Sequence, residues 1–180
     1  MSLVADIIAQ DPVGMEQLRA ARTLALPDWC IAAGFVRNRV WDHLHGIAPP
    51  RPPADIDVLY YDANDLSRDA EARCEALLGK LMPNLPWQVR NQARMHLWKG
   101  LPQHKSTADS MLYWLETVTA VGVRLEPHGS LTVIAPLGIE DLVNLRCRPT
   151  AFGRTRRDEY ENRVASKRWR DLWPRVRFLD

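Results

Sequence analysis

The sequence predicts an α/β (α+β) domain, a mixed sheet flanked by helices with one more helix at the C-terminal end. Three observations lead there. Apolar residues recur at helical spacing in several segments. Short apolar or β-branched runs stand between those segments, and two of the runs are joined by a short turn as a hairpin. Helices interleaved with hairpin strands are the pattern of a two-layer mixed-sheet domain.

The elements follow in chain order. Gly14 to Leu26 carries Met15, Leu18, Ala21, Ala25 and Leu26 near helical spacing, and Pro27 ends that helix. Trp29 to Ala33 (WCIAA) is an apolar run long enough for a buried strand. Gly34 breaks it, and Phe35 to His45 places Val36, Val40, Trp41 and Leu44 on a helix closed by Gly46. The next segment, IAPPRPPA, is a stiff loop, because its prolines fix φ and lack donors. DIDVLYYD then reads as a strand, and LSRDAEARCEALLGKL as a helix capped by Ser67. Trp87 to His96 alternates as a strand, Ser106 to Glu116 reads as a helix, and Thr117 to Leu125 is strand-like. The PHG turn at 127–129 leads into LTVIAP, the partner strand of a hairpin. Gly138 to Leu145 is a short helix, and Arg156 to Trp169 is a charged helix with Tyr160, Val164 and Trp169 as its apolar residues. These elements divide into a core over 1–150 and a basic helical tail over 151–180 packed on it.

Composition narrows the classes. At 180 residues the length suits one compact domain with a tail. Hydrophobic residues at 46% and charged residues at 26% are the balance of a globular chain, not a disordered one. No run approaches the roughly 18–20 apolar residues of a membrane helix, so no membrane partner is expected. The start, MSLVADIIAQDPV, lacks the basic cluster of a signal peptide. Cys30, Cys74 and Cys147 are far apart and odd in number, which predicts reduced thiols in a cytoplasmic protein and no cysteine metal motif. His43 and His45 do not share a helix face, and Ser106 and Ser110 lack His–Asp partners, so neither a zinc site nor a hydrolase triad is indicated. The seven tryptophans are either a large aromatic core, the better reading, or stacking surfaces.

Charge is uneven. From Arg146 to Asp180 there are 11 Lys and Arg against 5 Asp and Glu, while the rest of the chain carries 13 against 17. Such a basic segment can meet a polyanion, dock on the acidic body or form a solvated helix face.

The chemistry concentrates at Gly34 and at Asp55-Ile56-Asp57. Residues two apart on a strand share a face, so two carboxylates stand side by side with no partner in the local sequence. Their repulsion is relieved by a hard divalent cation, and Mg²⁺ held by carboxylates and substrate phosphates is the usual arrangement. Upstream, the strand–Gly34–helix turn offers backbone N–H groups at a helix N-terminus for phosphates. Arg37, Arg39 and Arg51 are candidates to add charge.

The run AAGFVRNRVWDHLHG, followed by DIDVLYYD, resembles the nucleotidyltransferase signature of poly(A) polymerases and CCA-adding enzymes, Gly-Gly-x-Val-Arg-Asp-x-Leu-Leu-Gly and then Asp-x-Asp. Ala33 stands at its first glycine and Gly34 at its second. Phe35-Val36-Arg37 takes the x-Val-Arg positions, Asn38 replaces the aspartate, and Gly46 matches the closing glycine. The stretch TVTAVGVRLEPHGSLTVIAPLGIEDLVNLRCRP resembles the segment of those enzymes that ends in Gly-x-x-Asp-Leu and an arginine. From Trp29 to Trp173, including NQARMHLW and TAVGVRL, the chain is similar to a bacterial family of nucleotidyltransferase-like proteins.

The resemblance implies a nucleotidyltransferase core that binds a nucleoside triphosphate. An acceptor oxygen attacks the α-phosphorus and pyrophosphate leaves, with two metal ions held by three carboxylates. Asp55 and Asp57 are the catalytic and metal-binding pair, and Gly34, Phe35, Arg37 and Arg94 bind the nucleotide. The third carboxylate belongs on the neighbouring strand, which has only Gln88, Asn91 and Gln92; Glu116 is the substitute ligand, with Asp141 behind it. Arg94 either touches a phosphate or pairs with Asp55 or Asp57. The two functional readings are an Mg²⁺-dependent nucleotidyltransferase and a nucleotide-binding or scaffold module that lacks the chemistry. A small-molecule or protein acceptor is expected over RNA.

Overall fold

The computed structural model describes residues 2–98 and 100–180. Its centre is a five-stranded sheet in the order β3-β2-β1-β4-β5. The middle strand, β1 (Cys30–Ala32), is buried throughout. β2 (Ile56–Tyr60) runs antiparallel to it, and β3 (Trp87–Asn91) runs parallel to β2. On the other side lie β4 (Gly122–Leu125), antiparallel to β1, and its hairpin partner β5 (Leu131–Ile134). The mixed α/β fold is therefore the one that the sequence predicts.

Helices cover the sheet. α1 (Leu3–Ala9) lies outside the predicted elements. Ser2 Oγ accepts the Ala5 N–H at 3.3 Å, and Val4, Ile7 and Ile8 fill one buried stripe. α2 (Pro12–Arg22) opens on Asp11, whose Oδ1 accepts from the Val13 N–H. It stops short of the predicted Leu26, and Ala25 takes a positive φ of 51°. The residue before Pro27 is pushed out of the α region, so the helix unwinds before reaching it. α3 (Gly34–Leu44) follows β1 directly and buries Phe35, Val36, Val40 and Trp41. α4 (Arg68–Leu81), capped by Ser67, is the crossover that makes β2 and β3 parallel.

Three predicted elements are shorter than expected, two of them where side-chain bonds interrupt the regular backbone. The strand read over Trp87 to His96 ends at Asn91, whose Oδ1 accepts the Ala93 N–H at 3.0 Å and starts α5 (Gln92–Met95). The helix read over Ser106 to Glu116 is only α6 (Thr107–Met111). The strand read from Thr117 begins at Gly122. Before it, Thr119 Oγ1 donates to the Glu116 carbonyl and carboxylate, and Thr117 Oγ1 donates to Asp141 Oδ2.

The C-terminal part is more elaborate than one helix. α7 (Glu140–Val143) leads to β6 (Arg146–Cys147), then α8 (Ala151–Thr155), α9 (Arg157–Ser166) and α10 (Trp169–Leu172). β7 (Arg177–Phe178) returns to pair parallel with β6. Trp169 and Trp173 meet the Trp41 ring edge-on at 5.8 and 5.2 Å. Trp173 Nε1 donates to the fully buried Asp42 carboxylate at 2.8 Å. No helix among the described residues is long and apolar enough to cross a membrane.

Candidate active site

The site begins where β1 turns into α3. Ala33 makes that turn at φ 55° and ψ −121°, a conformation natural to glycine. Its N–H donates to the Val121 carbonyl at 3.0 Å, and its own carbonyl accepts from Val36 and Arg37. No side chain caps α3, so Gly34 and Phe35 head the helix with its positive dipole end uncapped.

Asp55 and Asp57 come up from β2. A Cβ placed on Gly34 would lie 3.7 Å from Asp55 Oδ1 and 3.6 Å from Arg37 Nη2, so these two charged groups border the turn. Asp55 immediately precedes the strand. Asp57 lies within it, opposite Ala32 of β1 and Gln88 of β3. Burial, and then the Asp55 charge, push the Asp57 carboxyl up to about 6, against a smaller pull from Arg90, Arg163 and Lys167. The donor set fits a hard divalent cation, because the Asp55 charge already disfavours ionised Asp57 and a cation would relieve it.

A cavity of about 340 Å³ opens over Asp57, with Ala33, Gln88, Tyr113, Glu116 and Arg163 among its walls. That is the lower end of the volume range of small-molecule sites.

The remaining candidates are placed as follows. Arg37 is buried beneath the Trp169 ring, 4.3 Å from its centroid, and Nη2 donates to Asn38 Oδ1 at 2.8 Å. Burial lowers its pKa to about 10, with Glu116 and Asp55 among the charges that counter the shift. Arg94 is a correction: it does not meet Asp55 or Asp57 but forks onto Glu71 at 2.9 and 2.5 Å. Arg39 is bound to Asp11 and Gln17, and Arg51 sits beside Asp42, so neither charge serves the carboxylate pair.

Glu116 has protein partners of its own. It faces the same cavity as Asp57, yet its Oε1 lies 2.7 Å from Arg163 Nε and its Oε2 accepts from Thr119. Among the described residues, no three His, Cys, Asp or Glu side chains converge as a metal cluster. Asp141 is held by Thr117, Arg146 and Arg148. Asn91 is buried in capping bonds, and Gln92 donates to the Arg90 carbonyl. Sequence reasoning missed Arg163 and Tyr113 as wall residues. Arg163 reaches the cavity through the packing of α9, which no local spacing encodes.

A glycine-like turn opening onto an uncapped helix, with Asp57 in the next strand of a mixed sheet and Asp55 just before it, is the core of a nucleotide-handling transferase. The family model described as Nucleotidyltransferase matches residues 19–178, and the chain belongs to that family. It is similar to an NMR structure described as revealing a CCA-adding enzyme head domain, with 31% identity and a TM-score of 0.85 over 98% of this chain and 94% of the other. It also superposes on a CCA-adding enzyme in complex with CTP, with a TM-score of 0.63 over 100% of this chain and 44% of that one. At 15% identity, that second likeness is one of fold. No protein among those of curated function matches the sequence.

Proposed function

We propose that this protein transfers a nucleoside monophosphate from a nucleoside triphosphate to an acceptor hydroxyl, with Mg²⁺ held by Asp55 and Asp57. The observation that carries this reading is the carboxylate pair set against the head of α3. Bound there, the cation would supply charge stabilisation to the phosphates and to the attacking and leaving oxygens. The chain's own groups do the rest. The Gly34 and Phe35 N–H groups receive phosphate oxygens at the positive end of α3. Arg37, fixed under Trp169, adds positive charge beside Asp55 without swinging away. Burial and the Asp55 charge raise the Asp57 carboxyl to about 6, so cation binding there is expected to release a proton and to weaken as pH falls. A small-molecule or protein acceptor is preferred over RNA, because several tail arginines are already paired within the tail.

A second reading has its own support. Gln88 occupies the strand position beside Asp57, where a third carboxylate would serve the chemistry, and an amide brings no negative charge. A nucleotide-binding module without turnover would look the same. Titration with Mg²⁺ and each of the four triphosphates, followed by assay of pyrophosphate release, separates the two. Release that falls at least a hundredfold in Asp57→Asn supports the enzyme. Binding with no release from the wild-type chain supports the module, and absence of any binding removes both.

A further inference from the structure

We propose that Arg163, on α9, is a binding residue for the polyphosphate of the nucleotide, and that Glu116 is the positioning residue that presents it. This inference rests on the nucleotidyltransferase reading above and names a cation that neither the turn nor the carboxylate strand provides.

The geometry is that of a cation held by an ion pair at the cavity wall. Glu116 is 1% exposed, and its Oε1 lies 2.7 Å from Arg163 Nε. Its Oε2 is occupied by Thr119 Oγ1, so the carboxylate cannot turn away. The Arg163 side chain is 40% exposed and lines the same cavity as Asp57 and Ala33. Its two terminal nitrogens make no hydrogen bond to the protein among the described residues. Among the described residues, Glu116 Oε1 has this ion pair but no hydrogen bond, so the guanidinium is drawn to it by charge and its donors stay available to phosphate oxygens.

Other cations at the wall are less available. Arg90 has Nη1 engaged by Glu75 and by the Val89 carbonyl. Arg37 lies under Trp169. Lys167, one turn beyond Arg163 on the same side of the chain's charge balance, acts on Asp57 from a distance. A buried carboxylate beside an anion-binding site is otherwise unfavourable. An arginine held between Glu116 and the incoming phosphates accounts for both the burial and the ion pair.

The test is calorimetric binding of inorganic tripolyphosphate with Mg²⁺, alongside each of the four nucleoside triphosphates and the matching nucleosides. Arg163→Gln is expected to weaken tripolyphosphate and triphosphate binding by about tenfold or more, as loss of a charge-assisted pair implies. Nucleoside affinity is expected to stay unchanged, which a merely structural role for Arg163 would not produce. Arg163→Lys is expected to recover part of the loss. Because Arg163→Gln leaves a buried carboxylate unpaired, the double variant Glu116→Gln/Arg163→Gln repeats the measurement in a chain with neither charge. Triphosphate affinity unchanged in both variants, with the wild type binding, overturns this inference alone. A wild-type chain that binds neither tripolyphosphate nor any triphosphate overturns the nucleotidyltransferase reading together with it.

Discussion

At the scale of the residue, Ala33 and Asp57 both hold states that favour function over stability. Ala33 has a Cβ at φ 55°, where glycine is unstrained. Ala33→Gly is expected to raise unfolding free energy by about 1 kcal/mol, read as a higher urea midpoint at unchanged slope. Asp57 titrates at about 6 in the folded chain against 3.8 as its ordinary value. Between those values the native state holds a proton that the unfolded state has released, so stability falls as pH rises through that window and stays lowered above it. Asp57→Asn should therefore be more stable than wild type by about 2 kcal/mol at pH 7.5 and no more stable at pH 4. Paired thermal melts at the two pH values check this; a variant equally or less stable at pH 7.5 refutes the account of Asp57. The Asp-x-Asp spacing was legible in sequence, but only Asp57 falls within β2 and Asp55 stands just before it, where strand alternation no longer sets the face. Glu116 was legible only as a substitute ligand and Arg163 only as part of the basic tail, since their pairing depends on how distant segments pack.

At the scale of the element, legibility follows the range of the forces involved. The β1 turn, α3, β2, α4 and the β4–β5 hairpin are written in local periodicity, Gly and Pro placement, and one Ser cap. The elements misjudged in extent are those ended by side-chain bonds, such as β3 at Asn91 and the segment before β4 at Thr117 and Thr119. The β6–β7 pair was invisible, because two-residue strands joined across the C-terminal helices have no period of their own. Trp169 and Trp173 fall to the core reading of the tryptophans. Trp173→Phe keeps the ring against Trp41 but removes the donor to Asp42. Loss of about 1–3 kcal/mol is expected, measured by denaturant unfolding, because Asp42 is fully buried.

At the scale of the whole molecule, several basic side chains of the C-terminal part are already paired with acidic ones. Arg156 pairs with Glu159, Arg157 with Glu161 and Asp180, and Arg168 with Asp171. A surface that neutralised several phosphates would bind RNA with a steep dependence on salt. Filter binding at low and moderate salt is expected to retain no RNA; retention with a steep salt slope would make RNA the better acceptor. The position of α9 also bears on how the protein is made. The turn, both aspartates and the five-stranded sheet are encoded before Arg163, while Trp169, Trp173 and β7, which fasten its helix, come later still. During vectorial synthesis the acidic pair therefore leaves the ribosome before the cation proposed to meet the phosphates. Under the assignment of Arg163, triphosphate affinity should appear only once α9 has been made and packed.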